Sequence, residues 1–258
     1  MDEKARWDAG AKDFQQDFAL GMNEYNAALL GFWQENGMIR PGCRVLDIGC
    51  GVGKYGSYLA ELGCDVTLTD ISDEMLRHAE QNMAKHSAPW TVYQCDFNKA
   101  TGLEPAFAGG FDLVISTMSP AVKDEETVRK MSGMSRGWCF LAHFYDWEQQ
   151  FRDQIMSQIG LEPPRISPKL RSDCASMIQA VSKAGYVPQV KYVDYNWSDN
   201  RSPEQMADYL RRRYYAEDTD AGEKYAEALR LTRALADHEG FVCDSVNTKV
   251  AWIWWKCQ

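Results

Sequence analysis

The strongest constraint on this chain is an alternation. From Arg44 onward, short β-branched and apolar runs are separated by stretches with helical spacing. Arg44-Val45-Leu46-Asp47-Ile48 is an extended run that ends in glycines. Tyr55–Leu62 is helical and stops at Gly63, and Asp65–Thr69 is a second extended run. Ser72 is a helix cap, with Asp73 and Glu74 in the first turn, where negative charge suits the helix dipole. Trp90–Gln94, Phe111–Ser116 and Trp138–Phe144 continue the series, with a helix at Glu125–Met134 between the last two. Strands that alternate with helices pair in parallel. The expected fold class is therefore α/β with a doubly wound sheet.

The flanks break this rhythm. Phe14, Phe18, Met22, Tyr25, Leu29 and Phe32 recur at spacings of three or four, which predicts a helical arm over residues 11–37 that ends at Gly37. The chain thus divides into an N-terminal helical arm, 1–40, and a main domain, 41–258. Beyond a helix at Ser172–Ala184 and a strand at Val187–Tyr195, residues 197–238 read as a charged helical insertion before the last strand, Lys249–Lys256. Ser202-Pro203-Glu204 opens a helix inside it, a cap followed by proline at the first helical position.

Composition removes several function classes. The net charge is −9, and an acidic surface repels phosphate backbones, so nucleic acid is a poor partner. The local exception is Arg211-Arg212-Arg213 with Tyr214 and Tyr215. It is either a solvated helix face with two aromatics beneath it or a phosphate-binding patch. No 18-residue apolar run occurs and the first 30 residues are too polar for a signal segment, so the chain is expected to be cytoplasmic and without a membrane contact. The eight cysteines form no CxxC pair and match no zinc spacing. They are expected to be reduced and mostly buried, with no metal site.

The chemistry sits at strand ends. Gly49-Cys50-Gly51-Val52-Gly53 lets the backbone turn sharply after the first strand and lets a ligand approach where a side chain would block it. Asp47 stands just inside that turn. An acid there repels a pyrophosphate and favours a ligand with a positive charge. Asp70, 23 residues beyond Asp47, is placed to take the ribose hydroxyls of an adenosine group, or else to cap the next helix. Asp96 and Phe97 follow the third strand, where a carboxylate accepts from an adenine amino group or simply closes a turn. A dinucleotide fingerprint, GxGxxG, would need glycine where Lys54 stands, which argues against NAD.

VLDIGCGVGKYG (45–56), LTDIS (68–72) with DEML (73–76), CDF (95–97) and FDLVIST (111–117) resemble, in order and spacing, the successive motifs of class I S-adenosylmethionine-dependent methyltransferases. The resemblance is good over residues 40–145 and looser over 241–256. It implies a Rossmann-like, mostly parallel seven-stranded sheet with an antiparallel last strand, and S-adenosylmethionine as cofactor. It also implies roles. Gly49, Cys50 and Gly51 would contact the methionine part through backbone, near Asp47. Asp70 and Ile71 would hold ribose, Met75 would pack on adenine, Asp96 and Phe97 would flank it, and Ser116 would lie beside the sulfonium.

The acceptor side is less marked. Methyl transfer from a sulfonium is an in-line displacement with a good leaving group, so alignment and a dry site matter more than a base. His143, near the exit of the fifth strand with Asp146, is either a general base or a structural histidine. Tyr145 carries the same two readings. Met118, Ser119 and Pro120 lack the Asn/Asp-Pro-Pro-aromatic signature of nucleic-acid amino methylases, and either shape an acceptor pocket or form a turn. Trp7, Phe14 and Tyr25 are either a lid over the cofactor or helix core. The 197–238 segment either roofs the pocket or offers a homodimer surface. The expected function is methyl transfer to a small-molecule acceptor. The alternatives are a protein or RNA methylase and a non-catalytic S-adenosylmethionine-binding sensor or scaffold.

Overall fold

The computed structural model describes residues 2–19, 21–102, 104–163 and 167–257. In chain order the elements are α1 (Glu3–Ala19), α2 (Glu24–Glu35), β1 (Arg44–Ile48), α3 (Lys54–Glu61), β2 (Asp65–Asp70), α4 (Asp73–Met83), β3 (Trp90–Gln94), β4 (Phe111–Thr117), α5 (Glu125–Met134), β5 (Ser135–Glu148), α6 (Gln150–Gln158), α7 (Ser167–Lys183), β6 (Gln189–Asp194), β7 (Trp197–Arg201), α8 (Pro203–Leu210), α9 (Ala221–Leu235) and β8 (Val242–Lys256). Among the described residues the strands form one eight-stranded sheet in the order β3-β2-β1-β4-β5-β8-β6, with β7 pairing on β8 off that path. The β1–β2, β1–β4, β2–β3 and β4–β5 pairs are parallel and the β7–β8 pair is antiparallel. The doubly wound, mostly parallel α/β sheet with antiparallel strands near its end is therefore present, with one strand more than the seven expected.

The chain forms two compact units. The first comprises residues 1–143, 173–192 and 251–258, and the second 144–172 and 193–250. In the first, Val45, Leu46 and Ile48 of β1 and Leu113–Ile115 of β4 are buried without exposure, as central parallel strands covered on both faces require. The aromatic part of this core joins Trp33, Phe140 and Trp252. Trp33 meets Phe140 edge-on at 5.3 Å, and the Trp252 indole N–H donates to the Tyr25 hydroxyl at 3.0 Å. In the second unit, Ile155, Met156, Met206, Leu210, Tyr215 and Val242 form a separate apolar cluster between α6, α8 and β8.

Four expectations need correction. Residues 11–37 are two helices, not one. Gly21 is left-handed at φ 81°, and Asn23 caps α2 by accepting from the Asn26 N–H. The apolar stripe ran through the break, so periodicity alone could not reveal it. Residues 197–238 are not wholly helical, because β7 occupies Trp197–Arg201 and pairs with Val242–Val246. The last strand begins at Val242 rather than Lys249, and β5 runs on to Glu148. Helix α6 was not foreseen. By contrast the Ser202 start is as read: Ser202 and Gln205 form a capping box with Pro203 in the first turn.

The Arg211–Tyr215 stretch is a π-helical turn in the second unit. Its arginines are exposed while Tyr215 is buried, and Arg211 and Arg212 both pair with Asp208. All eight cysteines are free thiols, five of them buried. Among the described residues no cluster of three or more His, Cys, Asp or Glu is arranged to hold a metal, and no helix is long and apolar enough to cross a membrane.

Candidate cofactor and acceptor site

The parallel register places the carboxyl ends of β1, β2, β3 and β4 side by side, with Ile48 opposite Thr69, Asp70 opposite Gln94 and Asp47 opposite Ile115. In open α/β sheets this edge is where ligands bind. The glycine turn is fastened there by backbone: the N–H groups of Gly49 and Cys50 both donate to the Thr69 carbonyl, at 2.8 and 2.9 Å. Gly49 has φ 71°, and a Cβ on it would stand 1.9 Å from the Ser119 Oγ. Glycine is thus required twice, by conformation and by the close approach of the loop after β4.

Asp47 is fully buried at the end of β1, and neither carboxylate oxygen has a hydrogen-bond partner. Burial first, and the nearby Asp70 second, push its pKa up to about 8. A buried carboxylate with no donor is costly unless something cationic completes it. The acid and the glycine turn therefore fit a ligand with an ammonium group that approaches the backbone closely. Those are the features of the methionine half of S-adenosylmethionine.

Asp70 is also buried, and burial raises its pKa while three backbone N–H groups oppose the shift. One oxygen accepts the Gly51 N–H at 2.9 Å and the other accepts the Ser72 N–H at 2.9 Å. The helix cap itself is Ser72, whose hydroxyl accepts the Met75 N–H. Asp70 is thus a rigid carboxylate fixed between the glycine turn and α4. Its oxygens retain lone pairs that can accept further hydroxyl hydrogen bonds. Met75 is buried, and its sulfur lies 3.9 Å from where a Gly51 Cβ would be.

Beside the carboxyl ends of β2 and β3 lies a cavity of about 470 Å³, lined by Ile71, Gln94, Cys95, Asp96 and Lys99 together with Asp2–Lys4 at the start of α1. Asp96 pairs with Lys99 at 2.8 Å, and that pairing holds its carboxyl below the usual range. Phe97 is a buried side chain with the Lys130 ammonium 5.3 Å over its ring, and Lys130 also donates to the Phe97 carbonyl at 2.9 Å. Phe97 is not among the residues that line the cavity.

Toward β4, the buried Ser116 hydroxyl donates to the Ile48 carbonyl at 2.9 Å. Met118 follows with φ 55°, the one non-glycine residue in the left-handed region among the described residues, and its N–H donates to Ala142. A bulky residue in that region is a strained corner, and such corners collect at functional sites. Met118 and Ser119 thus project a rigid bend against the glycine turn. On β5, the His143 Nε2 is buried without a hydrogen-bond partner, and burial pulls the imidazole pKa down to about 4. The ring is therefore neutral at pH 7.

The remaining candidates are dispersed. Trp7 lies on α1 in a small apolar cluster with Ala11, Val52 and Met75, joined by Phe14 and Phe18. Tyr25 is buried on α2 with its hydroxyl bonded to Trp252. Tyr145 belongs to the second unit, where the Arg171 guanidinium lies 5.8 Å from its ring. Sequence reasoning missed Asp8, whose carboxylate accepts from the Ser72 hydroxyl at 2.6 Å across 64 positions of sequence. The one available signal was Trp7 at the head of the Ala11–Phe14–Phe18 stripe, which would have carried the first helix back toward Glu3.

Residues 45–137 match the family model described as "Methyltransferase domain". Human glycine N-methyltransferase is 37% identical over 98 residues, which is 36% of this chain and 32% of that protein. The ubiquinone biosynthesis O-methyltransferase of Paraburkholderia phymatum is 28% identical over 163 residues, 60% of this chain and 66% of that one. The chain spans about a third of the length of the curated relatives it matches at 37–40% identity. Haemonchus contortus phosphoethanolamine N-methyltransferase 2, solved with phosphomonomethylethanolamine and S-adenosylhomocysteine, has the same fold. Its TM-score is 0.52 at 17% identity, over 96% of this chain and 57% of that one. The glycine turn, Asp47, Asp70 and Asp96 stand in series along one sheet edge, and residues 45–137, which carry all of them, are similar to a methyltransferase domain.

Proposed function

We propose that the protein transfers a methyl group from S-adenosylmethionine to a small-molecule acceptor. The observation that carries this reading is Asp47, a fully buried carboxylate with both oxygens unpartnered beside a turn that excludes any side chain at position 49. Asp47 would receive the cofactor's ammonium, and the backbone of Gly49–Gly51 would follow its methionine chain. Asp70 and Ile71 would take the ribose, and Met75 and Asp96 the adenine. Bound S-adenosylmethionine supplies an electrophilic methyl on a sulfonium. The chain's part is to hold the donor, exclude water and orient the acceptor. Ser116 and the Met118–Ser119 corner stand at the strand end next to the glycine turn and would form the wall against which an acceptor is aligned. A neutral His143 can accept a proton, but with its pKa near 4 it is a weak base, so an acceptor that needs no deprotonation suits this site best.

Two observations favour a small acceptor. The surface is acidic, and two of the three arginines of the Arg211–Arg213 patch are paired with Asp208, which weakens a polyanion-binding reading. Relatives named for action on glycine and in ubiquinone biosynthesis point the same way. The test is a screen of metabolite pools for transfer of labelled methyl groups, run beside calorimetry with S-adenosylhomocysteine. Binding together with labelling of a small molecule supports the reading. Binding with a silent screen moves it to a sensor or scaffold, and absence of binding by the purified protein overturns it.

A further inference from the structure

Helix α1 does more than lie beside the sheet. Its Asp8 carboxylate accepts the Ser72 hydroxyl at 2.6 Å and the Glu74 N–H at 3.4 Å. Ser72 in turn gives its N–H to Asp70 at 2.9 Å. Lys4, one turn before Asp8, bridges Asp8 at 2.7 Å and Asp73 at 2.8 Å. Farther along α1, Gln15 and Asn82 exchange side-chain amide hydrogen bonds at 3.1 and 2.8 Å, and Asn82 also donates to the Val52 carbonyl of the glycine turn at 2.8 Å. Between these polar ties, Trp7, Ala11, Phe14 and Phe18 close over Val52 and Met75. The same helix therefore grips the glycine turn and the loop after β2, and its first residues line the cavity beside the ends of β2 and β3.

We propose that α1 is a built part of the adenosyl-binding site and that Asp8 is its positioning residue, holding Ser72 and through it the carboxylate of Asp70. The inference rests on the cofactor assignment above. The physical basis is that a charge-assisted hydrogen bond to Asp8 fixes the Ser72 hydroxyl, which also accepts the Met75 N–H. With its side chain tied to Asp8 and to the Met75 N–H, Ser72 is held in place, and its backbone N–H stays on Asp70. Without Asp8 the loop is free to rotate, and Asp70 loses the preorganisation that makes a ribose contact worth its full strength. The Lys4 pairing keeps Asp8 ionised, since Lys4 lowers its pKa.

The test is binding of S-adenosylhomocysteine and of methylthioadenosine, which carries the adenosine half without the amino acid. Asp8→Ala is expected to weaken both about tenfold, on the scale of a lost hydrogen bond to a charged group. Asp8→Asn, which still accepts from Ser72 but lacks the charge and the Lys4 pair, is expected to fall between the wild type and Asp8→Ala. A second readout is trypsin cleavage after Lys4, Arg6 and Lys12, which S-adenosylhomocysteine should slow in the wild type and not in Asp8→Ala. If Asp8→Ala does not fold, Ser72→Ala reads the same relay and should show the same paired loss. Wild-type affinity and protection in Asp8→Ala would overturn this inference and leave the cofactor assignment standing. A lowered melting temperature with wild-type affinity would do the same. Absence of binding by the wild type removes the assignment and the inference together.

Discussion

Asp47 and Asp70 end adjacent parallel strands, and the charge of Asp70 adds to burial in lifting the Asp47 carboxyl to about 8. In the free protein at pH 7, Asp47 therefore holds a proton. A ligand ammonium placed against it favours the ionised form, so binding releases that proton. Calorimetric titration with S-adenosylhomocysteine at pH 7, repeated in buffers of different ionisation enthalpy, should show an observed enthalpy that changes with the buffer. Asp47→Asn should remove the dependence. A buffer-independent enthalpy in the wild type would contradict an ammonium at Asp47.

The same shift has a consequence for stability without ligand. The folded-state pKa of Asp47 lies above its unfolded value, so the folded chain binds more protons between about pH 4 and 8. The Asp47 contribution is therefore present at the acidic side of that window and is lost as pH rises through it. His143 runs the other way. Burial lowers its pKa from 6.5 to about 4, so its contribution is present above 6.5 and is lost as pH falls toward 4. Melting curves at pH 5 and pH 7.5 should separate the two. Asp47→Asn should raise the melting temperature at pH 7.5 more than at pH 5, and His143→Asn should flatten the fall at pH 5. No change in either slope would refute these shifts.

Asp70→Ala should weaken S-adenosylhomocysteine by more than tenfold, since a hydrogen bond to a charged group is worth roughly 1.5–3 kcal/mol. It also leaves the Gly51 and Ser72 N–H groups without their partner, so a lower melting temperature should accompany the loss. Affinity equal to wild type would remove Asp70 from the site.

Gly49→Ala combines a left-handed backbone with a collision against Ser119. The conformational part alone costs roughly 1–2 kcal/mol. Denaturant unfolding should show at least that loss, and cofactor binding should fall with it. Pairing the change with Ser119→Gly should recover the steric part only. A fully stable Gly49→Ala protein would mean that the turn is looser than the contact implies.

Much of the candidate site was legible because its acids stand at the ends of strands that announce themselves. Val45–Ile48, Val66–Leu68 and Leu113–Ile115 are apolar runs of strand length, and Asp47, Asp70 and Asp96 are the polar residues that end or follow such runs. Three things were hidden. The break at Gly21–Asn23 lies within an unbroken apolar stripe, Phe18, Met22 and Tyr25, so local capping overrode a period that never faltered. Strand β7 is short, polar and one-sided, and exists because β8 pairs with it. Asp8 lies ahead of the helix expected over 11–37 and carries no motif, because its meaning comes from Ser72, a partner that only the tertiary fold brings near.

Asp2, Glu3 and Lys4 stand on the wall of the cavity beside the ends of β2 and β3. A purification tag joined directly ahead of Asp2 would start on that wall and compete with whatever fills the cavity. Affinities for adenosyl ligands are better measured on protein tagged beyond Gln258, or after cleavage that leaves no foreign residues at the amino end.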